Sequence, residues 1–173
     1  MPPELLNQVV DTDYGQLDLV WRADAGYDGE DARFFAGQVN GLVGASDSGG
    51  VNVSLARRSG GSSVRIVLHQ SAPPLDDDWE DVVEVSTTVP ADAEPAWVSW
   101  AGETSGPLEL PSGDYRLRVC CRGRDAGRHG EFEDDVVDFY LIELWPAAAS
   151  PDVIVRSTSA DAQYWHEARG TRT

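Results

Sequence analysis

Apolar and polar positions alternate with a period of two along much of the chain, in short runs separated by Gly, Pro, Asp, Asn and Ser. Leu17, Leu19 and Trp21 alternate with Asp18, Val20 and Arg22, and Val51, Val53 and Leu55 alternate with Asn52, Ser54 and Ala56. In an extended strand neighbouring side chains point to opposite faces, so each such run buries one face and turns the other outward. A further run with Val64, Ile66 and Leu68 on one face follows Arg57-Arg58-Ser59-Gly60-Gly61-Ser62. Two runs around a glycine pair predict a hairpin over residues 51–68. More strands are expected at 82–89 and 96–101. Leu110-Pro111-Ser112-Gly113 has Pro second and Gly fourth, as a type I turn favours. It feeds Tyr115, Leu117, Val119 and Cys121 on one face, with Arg116, Arg118, Cys120 and Arg122 on the other. Residues 136–145 are the most apolar stretch and predict a central strand. No segment keeps a helical period over three turns, although 159–168 suits a short helix. Eight or nine short strands with Gly/Pro turns predict an all-β chain, a two-sheet antiparallel β-sandwich. With no internal repeat and no long linker, residues 1–173 read as a single domain, with 146–173 as a C-terminal extension.

A chain of 173 residues buries about 70% of its unfolded surface, enough for a core without disulfides. Its only cysteines, Cys120 and Cys121, are adjacent, and on a strand they point apart and do not bridge. The start, Met1-Pro2-Pro3-Glu4-Leu5-Leu6, lacks the basic-then-apolar order of a secretory signal. No apolar run approaches the ~20 residues that span a bilayer. A reduced, cytoplasmic protein is expected.

Charge changes the picture more. Thirty Asp and Glu face thirteen basic residues, for a net charge of −17. Such a chain repels nucleic acid and anionic membranes and attracts basic proteins. Every basic residue is Arg, which excludes a P-loop lysine, a Schiff-base lysine and a lysine general base.

Local patterns for catalysis are weak. Asp47-Ser48-Gly49-Gly50 echoes the nucleophile loop of chymotrypsin-like proteases, but there the order is His, Asp, Ser. Here the first histidine, His69, follows the serine, and a glycine-rich connection between strands accounts for the same letters. Asp24, Asp28 and Gly29 occupy the first, fifth and sixth places of an EF-hand-like loop, yet its twelfth place is Phe35, where calcium needs a bidentate carboxylate. His129 lies near Glu131, Glu133, Asp134 and Asp135 at no metal-ligand spacing. His69, His129 and His166 are far apart in sequence, and there is no nucleophile elbow, GxGxxG or CxxC. No catalytic residue, cofactor or metal is assigned. Carboxylate pairs for glycoside hydrolysis stay open by counting alone.

Of the six tryptophans, Trp21, Trp97, Trp100, Trp145 and Trp165 fall mostly in expected strands and read as core. Trp79 differs, because it sits in Asp76-Asp77-Asp78-Trp79-Glu80-Asp81. An aromatic flanked by five carboxylates is not fully buried; it shields a sheet edge or anchors a contact. Arg116, Arg118 and Arg122, joined by Arg124 and Arg128, read as partners for the chain's own acids, such as Asp138 or Glu143, before a phosphate site.

Asp13-Tyr14-Gly15-Gln16-Leu17-Asp18-Leu19, the Gly/Asp-rich residues 41–50, the 51–68 unit and Leu110-Pro111-Ser112-Gly113-Asp114-Tyr115-Arg116-Leu117 together resemble the ComJ-like competence proteins, small acidic inhibitors of a DNA-entry nuclease. The resemblance spans roughly residues 10–145. Residues 122–135 and the tail 146–173, with Tyr164-Trp165-His166, depart from it, and no family contact residue maps onto this chain. It implies a sandwich and a nuclease-facing role. Duplex DNA carries one negative charge per about 1.7 Å of axis, so nucleases present basic clefts. Closely spaced carboxylates and an aromatic that replaces a stacked base suit such a cleft. The expected function is therefore non-enzymatic binding to a basic protein partner, a nuclease, without direct nucleic-acid or membrane binding. The expected contacts are Asp76, Asp77, Asp78, Trp79, Glu80 and Asp81. Two alternatives stay open: a carbohydrate- or small-ligand-binding sandwich using exposed Trp, and a carboxylate-dependent enzyme.

Overall fold

In a computed structural model, which describes residues 2–170, the alternating runs become strands of two sheets. The elements in order are β1 (Glu4–Thr12), β2 (Gln16–Val20), α1 (Asp31–Phe34), β3 (Val43–Gly44), β4 (Gly50–Ser54), β5 (Gly60–Leu68), β6 (Asp81–Val89), β7 (Ala96–Ser99), β8 (Ser105–Pro107), β9 (Gly113–Arg122), α2 (Arg124–His129), β10 (Phe139–Pro146), β11 (Val153–Arg156) and α3 (Ala160–Arg169). One sheet has the order β1-β5-β10-β9-β6-β11 and the other β3-β4-β2-β7-β8. Their apolar faces share one core, with Leu17, Leu19, Val51 and Val53 from the second sheet and Val64, Ile66, Val85, Leu117, Val119, Ile142 and Leu144 from the first. Truncating any of these to alanine removes buried methylenes, at about 2–5 kcal/mol for a Leu or Ile.

The all-β expectation holds in outline, with two corrections. The described residues form eleven strands rather than eight or nine, because β3 and β8 are too short to give an alternating signal. The larger sheet is also mixed, since β10 runs parallel to β5 and antiparallel to β9. Residues 69–80 carry the chain from β5 across to β6, and β10 later fills the gap between β5 and β9. A parallel pair needs such a crossover. β10 is central, as the apolar run 136–145 predicts.

The expected 51–68 hairpin is a second correction of topology, since β4 and β5 lie in different sheets. Residues 55–59 arch between them, and Leu55, Ala56 and Arg57 are buried in the arch. Gly60 and Gly61 are not in a turn; they pair with Thr12 and Asp11 of β1. The β1–β2 connection switches sheets too. It turns at Tyr14 and Gly15, both at positive φ (57° and 63°), and a Cβ on Gly15 would lie 2.3 Å from the Leu55 carbonyl oxygen. At the other end of the sandwich, the Tyr115 hydroxyl donates to the Pro111 carbonyl at 2.7 Å, closing the turn before β9. The run expected at 96–101 stops at Ser99, followed by a 3-10 turn, Trp100–Gly102.

Residues beyond Pro146 return to the body. β11 pairs with β6 at the sheet edge. α3 begins at Ser159, whose hydroxyl accepts from the Ala162 N–H at 3.0 Å, satisfying one orphan donor of the first turn. Ala162 is in the core and Trp165 packs against it. The helix docks on Gly41, where a Cβ would fall 1.9 Å from the Trp165 carbonyl oxygen.

Candidate partner-binding segments

The acidic run lies in the crossover before β6, and its backbone is fixed on several sides. The Arg156 guanidinium, on β11, donates from Nη1 to the Trp79 carbonyl at 2.6 Å and reaches the Asp76 and Asp77 carbonyls at 3.4 and 3.5 Å. The Asp78 N–H donates to the Asp76 carboxylate at 2.9 Å, forming a local turn. Glu80 donates its N–H to the Cys121 carbonyl at 3.0 Å, and its carboxylate accepts from the Gly123 N–H at 3.2 Å. Trp79 is half-buried. Its ring lies 5.3 Å from the Arg122 guanidinium, which also sits 4.9 Å from the Phe139 ring.

Asp76, Asp77, Asp78 and Glu80 are exposed; Asp77 makes a 3.5 Å ion pair with Arg156 while its own side chain stays open to solvent. Asp81 differs. It is fully buried and accepts the N–H groups of Thr158 and Ser159 at 2.8 and 3.1 Å. Its carboxylate fastens the chain before α3 to β6 and is not offered to a partner.

A second acidic segment, residues 131–135, has no metal-ligand spacing and is not among the expected contacts. It carries Phe132, the most exposed large apolar residue among the described residues, at 92%, between Glu131 and Glu133-Asp134-Asp135. The signal available was the one used for Trp79, a lone aromatic among carboxylates. Buried Arg57 holds this loop from beneath, donating to the Glu133, Asp135 and Gly61 carbonyls.

Two arginines of β9, Arg116 and Arg118, are spent internally, whereas Arg122 at its end is exposed and stacks on rings. Arg116 and Arg118 reach Glu84 at 3.2 and 3.1 Å, and Arg118 reaches Glu143 at 3.3 Å; all four side chains are largely buried. Arg116 also donates to the Ser150 and Pro151 carbonyls, and Arg118 to that of Pro73. The expected pairing with Glu143 is present. Asp138 instead accepts from the hydroxyls of Tyr140 and Ser62, each at 2.7 Å. Arg124 takes a third course, with Nε 2.8 Å from Asp161.

The patterns that suggested other chemistry resolve into structure. Asp47 accepts from the Gly49 N–H at 3.0 Å, making Asp47-Ser48-Gly49-Gly50 a turn into β4. Asp24 and Asp28 pair with Arg22 and Arg33. Among the described residues, no three His, Cys, Asp or Glu side chains converge to hold a metal, and no helix is long and apolar enough to cross a membrane. His69 lies 3.2 Å from Glu143. Both cysteines are buried free thiols. Burial, the largest influence, lifts the Cys121 thiol to about 11, away from the thiolate range of reactive cysteines. Burial also raises the Asp18 carboxyl, against hydrogen bonds from Asn52, Gln16 and the Tyr27 N–H.

No family model matches the chain, and no curated protein matches it. Solved structures do. The crystal structure of ComJ from Bacillus subtilis, an inhibitor of the DNA-degrading activity of NucA, is similar with a TM-score of 0.55 at 20% sequence identity, covering 85% of this chain and 99% of that one. The structure described as crocagin biosynthetic gene J is similar with a TM-score of 0.52 at 15% identity, covering 86% and 99%. The resemblance read from residues 13–19 and 110–117 therefore extends to the three-dimensional structure, and the chain shares the fold of ComJ.

Proposed function

We propose that this chain is a non-enzymatic, cytoplasmic binding module that inhibits a nuclease by placing carboxylates and an aromatic side chain in its basic cleft. The observation that carries the reading is the clamped acidic segment. Arg156 and the sheet fix the backbone of residues 76–80, while the carboxylates of Asp76, Asp77, Asp78 and Glu80 stay exposed. A segment already ordered in the free protein loses little freedom on docking. Trp79 stands beside these acids with its face against Arg122, and it supplies the flat apolar surface that a base would otherwise offer. The partner class is drawn from ComJ, which inhibits a nuclease. Asp81 serves the fold and is left out of the contact set.

The test is a DNA-degradation assay with a nuclease from the same source, in low and moderate salt. The chain is expected to suppress cleavage, with association slowing steeply as salt screens the charge. The triple substitution Asp76→Asn, Asp77→Asn, Asp78→Asn is expected to slow association by roughly tenfold at low salt with unchanged thermal stability. Full inhibition by that variant removes the segment from the contact. Absence of binding to any nuclease of that source at low salt removes the function.

A further inference from the structure

Three arginines converge with three aromatic rings in a cleft far from the acidic run in sequence, bounded by the β1–β2 turn, the end of β4 and the helices α2 and α3. It has a volume of about 470 Å³, lined among others by Tyr14, Arg58, Arg128, Tyr164, Trp165 and Arg169. That size is within the range of small-molecule sites, about 300–1,000 Å³. Each guanidinium rests on a ring: Arg58 is 5.6 Å from the Tyr14 centroid, Arg128 is 5.1 Å from Tyr164, and Arg169 is 4.1 Å from Trp165. Stacking uses the face of a guanidinium and leaves its edge, with up to five in-plane N–H donors, for a planar anion.

The pairing of these arginines is the telling feature. In a chain with thirty carboxylates, Arg58 is exposed and has no carboxylate within 4 Å among the described residues. Arg128 is 3.8 Å from Asp161, but that carboxylate is already held by Arg124 at 2.8 Å. Arg169 is anchored, donating to Ser54 at 2.7 Å and lying 3.3 Å from Asp31, so it forms a fixed wall. Asp161 also lines the cleft, with its charge met by buried Arg124 at 2.8 Å. Tyr14 projects from a turn that holds it at φ 57°, costly for a residue with a Cβ. The residue is 64% exposed, with its ring 5.1 Å from that of Trp100. A strained, exposed tyrosine adds nothing to the core.

We infer that this cleft binds a small ligand that combines a planar ring with a carboxylate or phosphate, the anion held by Arg58 and Arg128 and the ring by Tyr14, Tyr164 and Trp165. This site is independent of the nuclease reading, since it uses charge of the opposite sign and none of residues 76–81. Either role can fail without the other.

Isothermal titration of the full chain tests it with two anionic ring probes, adenosine 5′-monophosphate and indole-3-carboxylate. Adenosine and inorganic phosphate are the controls lacking the anion or the ring. At least one ring anion is expected to bind in the sub-millimolar range. Arg58→Gln and Arg128→Gln, both on exposed side chains, are each expected to weaken it about tenfold or more. Arg22→Gln, an exposed arginine elsewhere, is expected to leave it unchanged. Tyr14→Gly, which relieves the backbone and removes the ring, is expected to weaken binding without loss of thermal stability. The proposal is overturned if neither ring anion binds at about 10 mM, if inorganic phosphate binds as tightly as the nucleotide, or if the Arg58 and Arg128 variants bind like the parent.

Discussion

Replacing Arg124 with methionine probes how the C-terminal segment is held to the sheets. The Arg124 side chain is 0% exposed and Asp161, in the first turn of α3, is 2% exposed. Nε and Nη2 of the arginine each approach Asp161 Oδ2 at 2.8 Å, and Nη1 donates to the Ser54 carbonyl at 2.8 Å. One residue therefore ties α2, α3 and the end of β4 together. Methionine fills much of the volume but leaves a buried carboxylate without its main partner. Breaking one side of such a pair costs about 3–5 kcal/mol. Arg128, 3.8 Å away and about half exposed, offsets part of this, which places Arg124→Met near the lower end, about 3 kcal/mol. For a chain of this size that is a fall in Tm of roughly 6–12 °C. Removing both charges, as Arg124→Met with Asp161→Leu, takes away the stranded carboxylate and is expected to recover about 2 kcal/mol relative to the summed single changes. Urea titration followed by tryptophan fluorescence gives the cycle directly, with the midpoint moving and the slope constant. A single-variant loss below about 1 kcal/mol, or a double variant that costs the full sum, refutes the claim that this pair is buried and coupled.

Three further outcomes follow from other contacts. The Cys120 and Cys121 thiols, buried and with Cys121 raised to about 11, are expected to resist iodoacetamide at pH 8 in the folded protein and to react in denaturant; rapid native labelling counts against their burial. His166 is held below its usual value, first by burial and then by Arg124, and its Nδ1 accepts from the Gly41 N–H at 3.0 Å. Its unfolded form takes up a proton more readily, so its stabilisation is fully present above pH 6.5 and is lost as pH falls through the depressed folded value. Denaturation midpoints across that window should show a fall that His166→Gln flattens; identical profiles sink the assignment. Gly41→Ala is expected to cost on the order of 2–3 kcal/mol, because its Cβ meets the Trp165 carbonyl at 1.9 Å, and to raise amide exchange in α3; unchanged exchange refutes the close docking.

Strand identity was legible where alternation is strict. Tyr115, Leu117 and Val119 face the core with Arg116 and Arg118 opposite, β10 is central, and α3 begins at its serine cap. Alternation says which face a residue takes, but not which strand it pairs with. That is why 51–68 reads as a hairpin while β4 and β5 separate into two sheets, with Arg57 buried between them. The acidic run was legible as a run, but not the fate of its last member. Asp81 is in phase with Val83 and Val85 on the inward face of β6, a signal outweighed by its acidic neighbours. The cleft was not legible, because Tyr14, Arg58, Arg128 and Arg169 come from four separate stretches of chain.

The buried acids separate two uses of charge in this protein. Among the described residues, Asp18, Asp81, Asp138, Glu143, Asp152 and Asp161 are buried, as are Arg57, Arg116, Arg118 and Arg124. Several of these carboxylates accept from uncharged donors: Asp81 Oδ1 from the Thr158 and Ser159 N–H groups, Asp138 from two hydroxyls, Asp152 from the Val39 and Asn40 N–H groups. The interior thus nearly balances its own charge, and the excess behind the −17 belongs to side chains with access to solvent. A buried carboxylate acts over hydrogen-bond distance and is little affected by salt, whereas an exposed one acts over a Debye length, about 8 Å at physiological ionic strength. Neutralising Asp81 should therefore lower stability at any salt concentration, while neutralising Asp76, Asp77 and Asp78 should alter association at low salt and leave stability alone. The same chemical change, Asp→Asn, a few residues apart, distinguishes an acid that builds the fold from one free to meet a partner.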